Sequence, residues 1–252
     1  MTDPKGTRLD LDAPRPRHVV ALSGGKDSTC LALALKERHP EIEFDYLCTP
    51  TGNELPELFE HLSRLEQLLG KPLIRLDIGK NLHDLIRDMK MLPNFRARWC
   101  TRMLKIEPAI EFMQSLPHGS LLYVGLRADE EEREGIYGDE VANVFPFREW
   151  GWGVNEVLAY LDARGICIPR RTDCADCYHQ RIIEWRNYWR DYPEMFDKSA
   201  ALEEEIGHTF RSPGRDTWPL ALRDMGKEFA SGRKIRGEGK AEDREICRVC
   251  SL

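Results

Sequence analysis

The chain of 252 residues has no apolar run near the length of a membrane span, and its N-terminus is polar and carries three prolines in the first 16 residues. A spanning helix and a secretory leader are therefore not expected, and the cytoplasm is the expected compartment. No sign of charge dominates: 37 Lys and Arg stand against 43 Asp and Glu, so no overall field draws the chain onto nucleic acid or an anionic membrane. Internal repeats are absent. Histidine is sparse: His18, His39, His61, His83, His118, His179 and His208 are scattered singly, most of them expected at the surface, and none suggests a metal site. Two common phosphate-binding signatures are missing as well. A Walker loop needs Gly-x-x-x-x-Gly-Lys and then Ser or Thr; here Val20 stands at the first Gly and Asp27 follows Lys26. The dinucleotide pattern Gly-x-Gly-x-x-Gly does not occur.

What is present centres on residues 18–36. Val19 to Leu22 form a short apolar run, the pattern of a strand buried on both faces, and residues 28–37 are rich in helix formers. Between them lies Ser23-Gly24-Gly25-Lys26-Asp27-Ser28. Glycines at a strand-to-helix turn let backbone N–H groups crowd round an anion, and the helix N-terminus adds partial positive charge. Ser23, Ser28 and Lys26 add side-chain donors. This reads as a phosphate or pyrophosphate cradle, the plain alternative being a Gly-rich βα turn with no ligand.

The rest follows a repeating rhythm. Strands are expected at 44–48, 71–77 and 121–127, with helices at 56–69, 82–89, 101–115 and 153–164. Alternating strands and helices imply an α/β fold with a doubly wound parallel sheet, whose ligands lie beyond the carboxyl ends of the strands. That puts the loop 23–28 and the loop 49–54 on one edge. Residues 1–16 read as a flexible lead-in, 17–165 as the nucleotide-binding domain, and 166–252 as a smaller helical region containing cysteines, with helices at 182–195 and 197–206. Arg96, Arg98, Arg102 and Lys105 gather around Cys100, and Arg127 ends a strand where a phosphate would sit.

Eight cysteines in a chain of this kind suggest metal, cluster or redox work rather than disulfides. Cys174-x-x-Cys177 suits zinc, an iron–sulfur cluster or a redox dithiol. Cys247-x-x-Cys250 is a second pair, and the two pairs could close one zinc site. Cys30, Cys48 and Cys167 read as buried small hydrophobes.

Several ordered motifs carry a resemblance. Ser23–Ser28 resembles the PP-loop of the adenine nucleotide alpha-hydrolase-like ATP pyrophosphatases. Thr51-Gly-Asn-Glu-x-Pro56, Arg98-Trp-Cys-Thr-x-x-Leu-Lys105-x-x-Pro108 and Gly125-Leu-Arg127-x-Asp-Glu-x-x-Arg133 resemble segments of the phosphoadenosine-phosphosulfate (PAPS) reductase-like proteins. Cys174-x-x-Cys177 with Gln180 and Trp185 is similar to their C-terminal half. The chain lacks the Glu-Cys-Gly-x-His tail of the assimilatory reductases, and it has Cys100-Thr101 where the cluster-bearing APS reductases have adjacent cysteines.

The resemblance therefore implies an ATP pyrophosphatase that adenylates a substrate, as in DNA phosphorothioation and nucleoside thiolation. ATP and Mg²⁺ would be bound by Ser23, Gly24, Gly25, Lys26, Asp27, Ser28, Thr51, Gly52, Gly125, Arg127 and Arg133. Lys26, Asp27, Arg102, Lys105 and Arg127 would serve catalysis. Cys100, Cys174, Cys177 and Cys250 would hold a [4Fe-4S] cluster, with Zn²⁺ as the alternative. A nucleic-acid or nucleoside acceptor and a sulfur-donor protein of the cysteine desulfurase type are the implied partners. The alternative is a PAPS or APS reductase that releases sulfite through Cys247 or Cys250. A third reading is a nucleic-acid-binding module, from six basic and three acidic residues in 223–240 and the aromatic stretch 185–192.

Overall fold

The computed structural model describes residues 15–130, 137, 140–214, 216–236 and 238. Five parallel strands make one sheet, in the order β3-β2-β1-β4-β5: β1 is His18–Ala21, β2 Phe44–Cys48, β3 Ile74–Arg75, β4 Leu121–Tyr123 and β5 Asn143–Val144. β1 lies at the centre, with Val20 opposite Tyr46 on one side and Tyr123 on the other. Successive side chains of a strand face opposite ways. Val20 thus joins the core beneath α1 (Lys26–Arg38) and α2 (Pro56–Leu69), while Val19 joins the core that contains Ala109 and Met113. Burial on both faces explains why β1 and β2 are nearly continuous apolar runs.

Local chemistry sets the helix ends. Pro56 sits in the first turn of α2, where its missing N–H is not needed. Gly70 ends that helix in the left-handed conformation at φ 72°. α3 (Leu82–Met89) starts with a capping box, in which the Asn81 side chain accepts from Asp84 N–H and the Asp84 side chain accepts from Asn81 N–H.

The expected helix over 101–115 is a composite: α4 (Trp99–Thr101), a π-helical turn (Arg102–Ile106) and α5 (Glu107–Gln114). π-turns inside helices recur at functional sites. α6 (Pro146–Glu149) and α7 (Val154–Asp162) follow the sheet. The helix expected over 182–195 stops earlier, as α8 (Ile182–Asp191), because Pro193 begins α9 (Pro193–Ile206). α10 (Leu222–Ala230) lies in the Gly- and charge-rich segment, where no helix was expected.

The α8–α10 core includes Trp185, Tyr188, Phe196, Phe210 and Phe229, and also takes in Leu55, Leu82, Leu85, Ile86, Leu92, Trp99 and Leu104 from the sheet half. Trp185 and Tyr188 are therefore not available to stack on bases, and Trp189 and Tyr192 pack partly buried against the same core, which weakens the aromatic support for the nucleic-acid-module reading. Among the described residues no helix is long and apolar enough to cross a membrane.

Candidate active site

The strand order reverses direction between β1 and β4, and at that switch point an open α/β sheet forms its binding crevice. Ser23–Ser28 leaves β1 and enters α1 here, and Gly125–Arg127 follows β4. Ser23 and Ser28 hold the loop's shape: Ser23 N–H donates to Ser28 Oγ at 3.2 Å, and Ser28 Oγ donates to Gly25 C=O at 3.2 Å. Gly24 has φ +81°, and a Cβ there would stand 2.6 Å from Leu58 Cδ1. Gly125 is needed for approach rather than for φ. A Cβ on it would lie 3.2 Å from the Asp27 carbonyl carbon and 3.4 Å from Ser28 N, both backbone atoms.

Three charges meet behind this loop. Asp27 Oδ2 is 2.9 Å from Lys26 Nζ and 2.8 Å from Arg127 Nη1. Lys26 and Asp27 are only 5% and 1% exposed. Arg127 is bound in turn to Asp129 Oδ1 at 2.8 Å. These acidic neighbours raise the guanidinium pKa although burial works against its charge. Asp27 Oδ1 is buried with no hydrogen-bond partner among the described residues.

A cavity of about 160 Å³ opens in front, lined by Ser23, Asp27 and Ser28, by Leu47–Pro50 at the end of β2, by Glu54, and by Gly125. Thr101 and Lys105 complete its wall. The same two residues line a second cavity, of about 40 Å³, that contains Cys100, Cys174 and Cys177. Lys105 is thus shared between the two. Burial disfavours its charge, but Cys174, Glu54, Cys177 and Cys100 around it outweigh burial and raise its pKa.

The cysteine loop is fastened to the nucleotide-side loop by backbone: Ala175 N–H donates to Asn53 C=O at 2.7 Å, and Glu54 and Cys174 form an isolated antiparallel bridge. Asp176, fully buried between the two cysteines, accepts from Asn53 Nδ2 at 2.7 Å and also bonds His83 Nε2 and Ser199 Oγ. Arg171 Nη2 donates to Cys174 C=O at 2.9 Å. The neighbouring Cys177 side chain, and then desolvation, push the pKa of the half-buried Cys174 thiol well up; burial also raises that of Cys100. Among the described residues no three His, Cys, Asp or Glu side chains stand in a metal-holding arrangement. What the cavity offers is donor chemistry: three sulfurs beside an ammonium.

Several expected site residues lie elsewhere. Thr51 faces the cysteine cavity and is tied to Glu54 Oε1 through its N–H at 2.6 Å and its hydroxyl at 2.7 Å. Gly52 lines neither cavity; its φ of +74° lets it pass Asn81. Arg102 is mostly exposed and paired to Glu107 Oε1 at 3.0 Å, away from both cavities. Arg133, Cys247 and Cys250 lie outside the described residues.

Two expectations are corrected. Cys167 is exposed rather than buried, because it sits in the turn after α7, whereas burial pushes the thiols of Cys30 and Cys48 up to about 12. His61 is 3% exposed rather than at the surface, because α2 turns it under the phosphate loop. Sequence reasoning also missed Asp176, although its position inside Cys-x-x-Cys was visible.

A parallel sheet with a glycine-rich strand-to-helix loop at its switch point defines a doubly wound α/β domain whose crevice has anion-binding geometry. Residues 17–169, more than half of the chain, match the phosphoadenosine phosphosulfate reductase domain, and the chain belongs to that family. Among solved structures it is similar to the PAPS reductase of Candida auris in a phosphate complex, at 12% identity over 63% of this chain and 77% of that one, with a TM-score of 0.48. It is also similar to the U34-tRNA thiolase NcsA of Methanococcus maripaludis with its [4Fe-4S] cluster, at 18% identity over 97% and 84% of the two chains, TM-score 0.46. A third likeness is to the NH3-dependent NAD synthetase of Campylobacter jejuni, at 15% identity over 90% and 91%, TM-score 0.41. None of these likenesses carries a substrate across. The comparison with curated proteins gives no match.

Proposed function

We propose that this chain is an ATP pyrophosphatase that adenylates a nucleic acid or nucleoside, releases pyrophosphate and so prepares the acceptor for sulfur transfer. One observation carries the reading: Thr101 and Lys105 form a common wall between the phosphate-loop cavity and the three-cysteine cavity. An activated acceptor held in the first cavity would lie next to sulfur chemistry in the second.

In the chemical step an acceptor oxygen bonds to the α-phosphorus of ATP. The bond from that phosphorus to the bridging oxygen breaks, and pyrophosphate leaves with the electron pair. Charge builds on phosphate oxygens, so positioning and electrostatic stabilisation by the loop N–H groups, Lys26 and Arg127 are what the protein contributes. Asp27 Oδ1, a buried carboxylate oxygen without a partner, fits an oxygen-seeking Mg²⁺. Cys100, Cys174 and Cys177, with Cys250 from outside the described residues, fit a thiolate-bound [4Fe-4S] cluster or Zn²⁺ by donor type. A bound cluster would supply a site for sulfide, and a bound zinc would supply structure. A donor protein of the cysteine desulfurase type would furnish the sulfur.

The family's domain also favours a second reading, a PAPS reductase that releases sulfite. Protein purified without oxygen separates the two. Pyrophosphate release from Mg-ATP, together with iron and sulfide in the protein, is the expected result. Thioredoxin-dependent sulfite from PAPS with ATP untouched would overturn the proposal.

A further inference from the structure

Residues 89–106 carry five basic side chains, Lys90, Arg96, Arg98, Arg102 and Lys105, and no acidic one, in a chain whose formal charge is −6. The middle of this segment is built as a projecting tip. Leu92 and Trp99 anchor its two ends in the helical core. Between them Asn94 and Ala97 exchange N–H to C=O bonds at 3.2 and 3.1 Å. Asn94 Oδ1 also accepts from the N–H groups of Arg96 and Ala97, at 2.9 and 3.1 Å. The two residues left at the tip, Phe95 and Arg96, are both exposed. Phe95, at 57%, is the most exposed large apolar side chain among the described residues. The Arg96 guanidinium lies 5.3 Å from the centre of its ring. A fixed turn thus holds an aromatic face out in water with a cation beside it.

The tip adjoins the cysteine cavity. Pro93 before it and Cys100 after it both line that cavity, as do Tyr178 and His179, whose ring centroids are 4.3 Å apart. The acids of the same wall are already engaged, Asp173 with Arg171 and Asp176 with His83 and Ser199. Arg102 keeps 70% of its side chain exposed although it pairs with Glu107.

This chemistry separates the anionic partners that could meet it. A duplex offers phosphates but keeps its bases stacked inside. An acidic peptide offers charge without a base to stack. A free nucleoside would engage the ring and leave the cations unmatched. A single strand offers both features, and rings interleaved with arginine hold single strands without reading their sequence.

We infer that Phe95, Arg96 and Arg102 form a binding surface for single-stranded nucleic acid, with an unpaired base stacked on Phe95 and the strand running beside the cysteine cavity. That this strand is the adenylation acceptor rests on the function proposed above; that it binds here does not.

The test is fluorescence anisotropy of the full chain with a labelled single strand of about 12 nucleotides, as DNA and as RNA, without ATP. Phe95→Ala is expected to weaken binding about fivefold or more, and Phe95→Tyr, which keeps the ring, to restore it. On a strand of abasic sites Phe95→Ala should bind like wild type, because no base is left to stack. Arg96→Gln and Arg102→Gln should each flatten the slope of log affinity against log salt by about 0.7. Pyrophosphate affinity of Phe95→Ala should equal that of wild type, and a parallel loss there overturns the inference. Absence of binding to either strand at low salt overturns it, as does wild-type affinity in Phe95→Ala. So does a duplex, or poly-glutamate, that binds as tightly as the single strand. A preference for DNA or for RNA, lost in Phe95→Ala, supports it and identifies the strand. If the strand binds through Phe95 while Mg-ATP releases no pyrophosphate in its presence, the adenylation reading falls and the surface stands.

Discussion

Replacing Asp27 with Asn would leave two buried cations facing each other without the carboxylate that holds them. Lys26 Nζ and Arg127 Nη1 both lie within 3 Å of Asp27 Oδ2, and the three side chains are 6%, 13% and 1% exposed. Breaking a buried pair by removing one partner costs about 3–5 kcal/mol. For a chain of this size that is a fall of roughly 6–20 °C in melting temperature. The same change frees Lys26 and one side of the Arg127 guanidinium, which stays paired to Asp129, for a ligand anion. Metal-free pyrophosphate should therefore bind Asp27→Asn at least tenfold more tightly than wild type, and at a hundred times its Kd restore about 2.7 kcal/mol. Turnover of Mg-ATP should fall sharply, since the amide keeps one oxygen but loses the negative charge that suits Mg²⁺. Melting curves with and without pyrophosphate, in chelator, provide the measurement. A variant that melts within about 2 °C of wild type, or binds pyrophosphate more weakly, would refute the idea that Asp27 occupies the cations until phosphate arrives.

Gly125→Ala should destabilise by about 1–3 kcal/mol, because its Cβ would press on backbone, the Asp27 carbonyl carbon 3.2 Å away, rather than on the end of a flexible side chain; denaturant midpoints and ATP affinity should both fall. Stability should depend on pH through two buried groups of opposite sign. Burial raises the Glu203 pKa to about 7, so its share of stability is present below about 4.5 and lost as pH rises to 7, at about 1.4 kcal/mol per unit. The lowered pKa of His61 means that its share is present above about 6.5 and lost as pH falls toward 4. Difference curves against Glu203→Gln and His61→Gln should slope in those opposite directions, and a flat curve in either case would count against the assignment. Alkylation of native protein at pH 8 should label exposed Cys167 and spare Cys30 and Cys48, whose thiols sit near 12; mass spectrometry of the peptides reads it directly.

The phosphate loop and the first two strand–helix units were legible because their signals are local: an apolar run, two glycines, Pro56 at a helix start. β5 was not, since a two-residue strand has no periodicity to detect and exists only by pairing with β4. α10 was hidden by a Gly- and charge-rich composition that packing of Leu222, Met225 and Phe229 overrides. His61 looked like a surface residue because nothing in its neighbours reveals that the loop 37 positions earlier folds over it. Cys100, Cys174 and Cys177 were grouped through the family resemblance alone, since nothing in their spacing brings residue 100 to the 174–177 loop; the fold places all three on one cavity. Arg102 and Lys105 were both named beside the motif cysteine, and sequence spacing does not say which faces the site: Arg102 lies exposed against Glu107, whereas Lys105 lines both cavities.

The helical core that reaches back to Leu55, Leu82, Leu85, Ile86, Leu92, Trp99 and Leu104 separates what is inherited from what can fold. A chain shortened to the family's own segment, 17–169, would bring those seven side chains into water. At about 1.5–3 kcal/mol each, their exposure amounts to roughly 10–20 kcal/mol, comparable to the whole net stability of an ordinary protein. The recognisable module is therefore not a portable one. Grafted elsewhere it would need a substitute for α8–α10, and a single cleavage between residues 165 and 182 should yield two pieces that stay together.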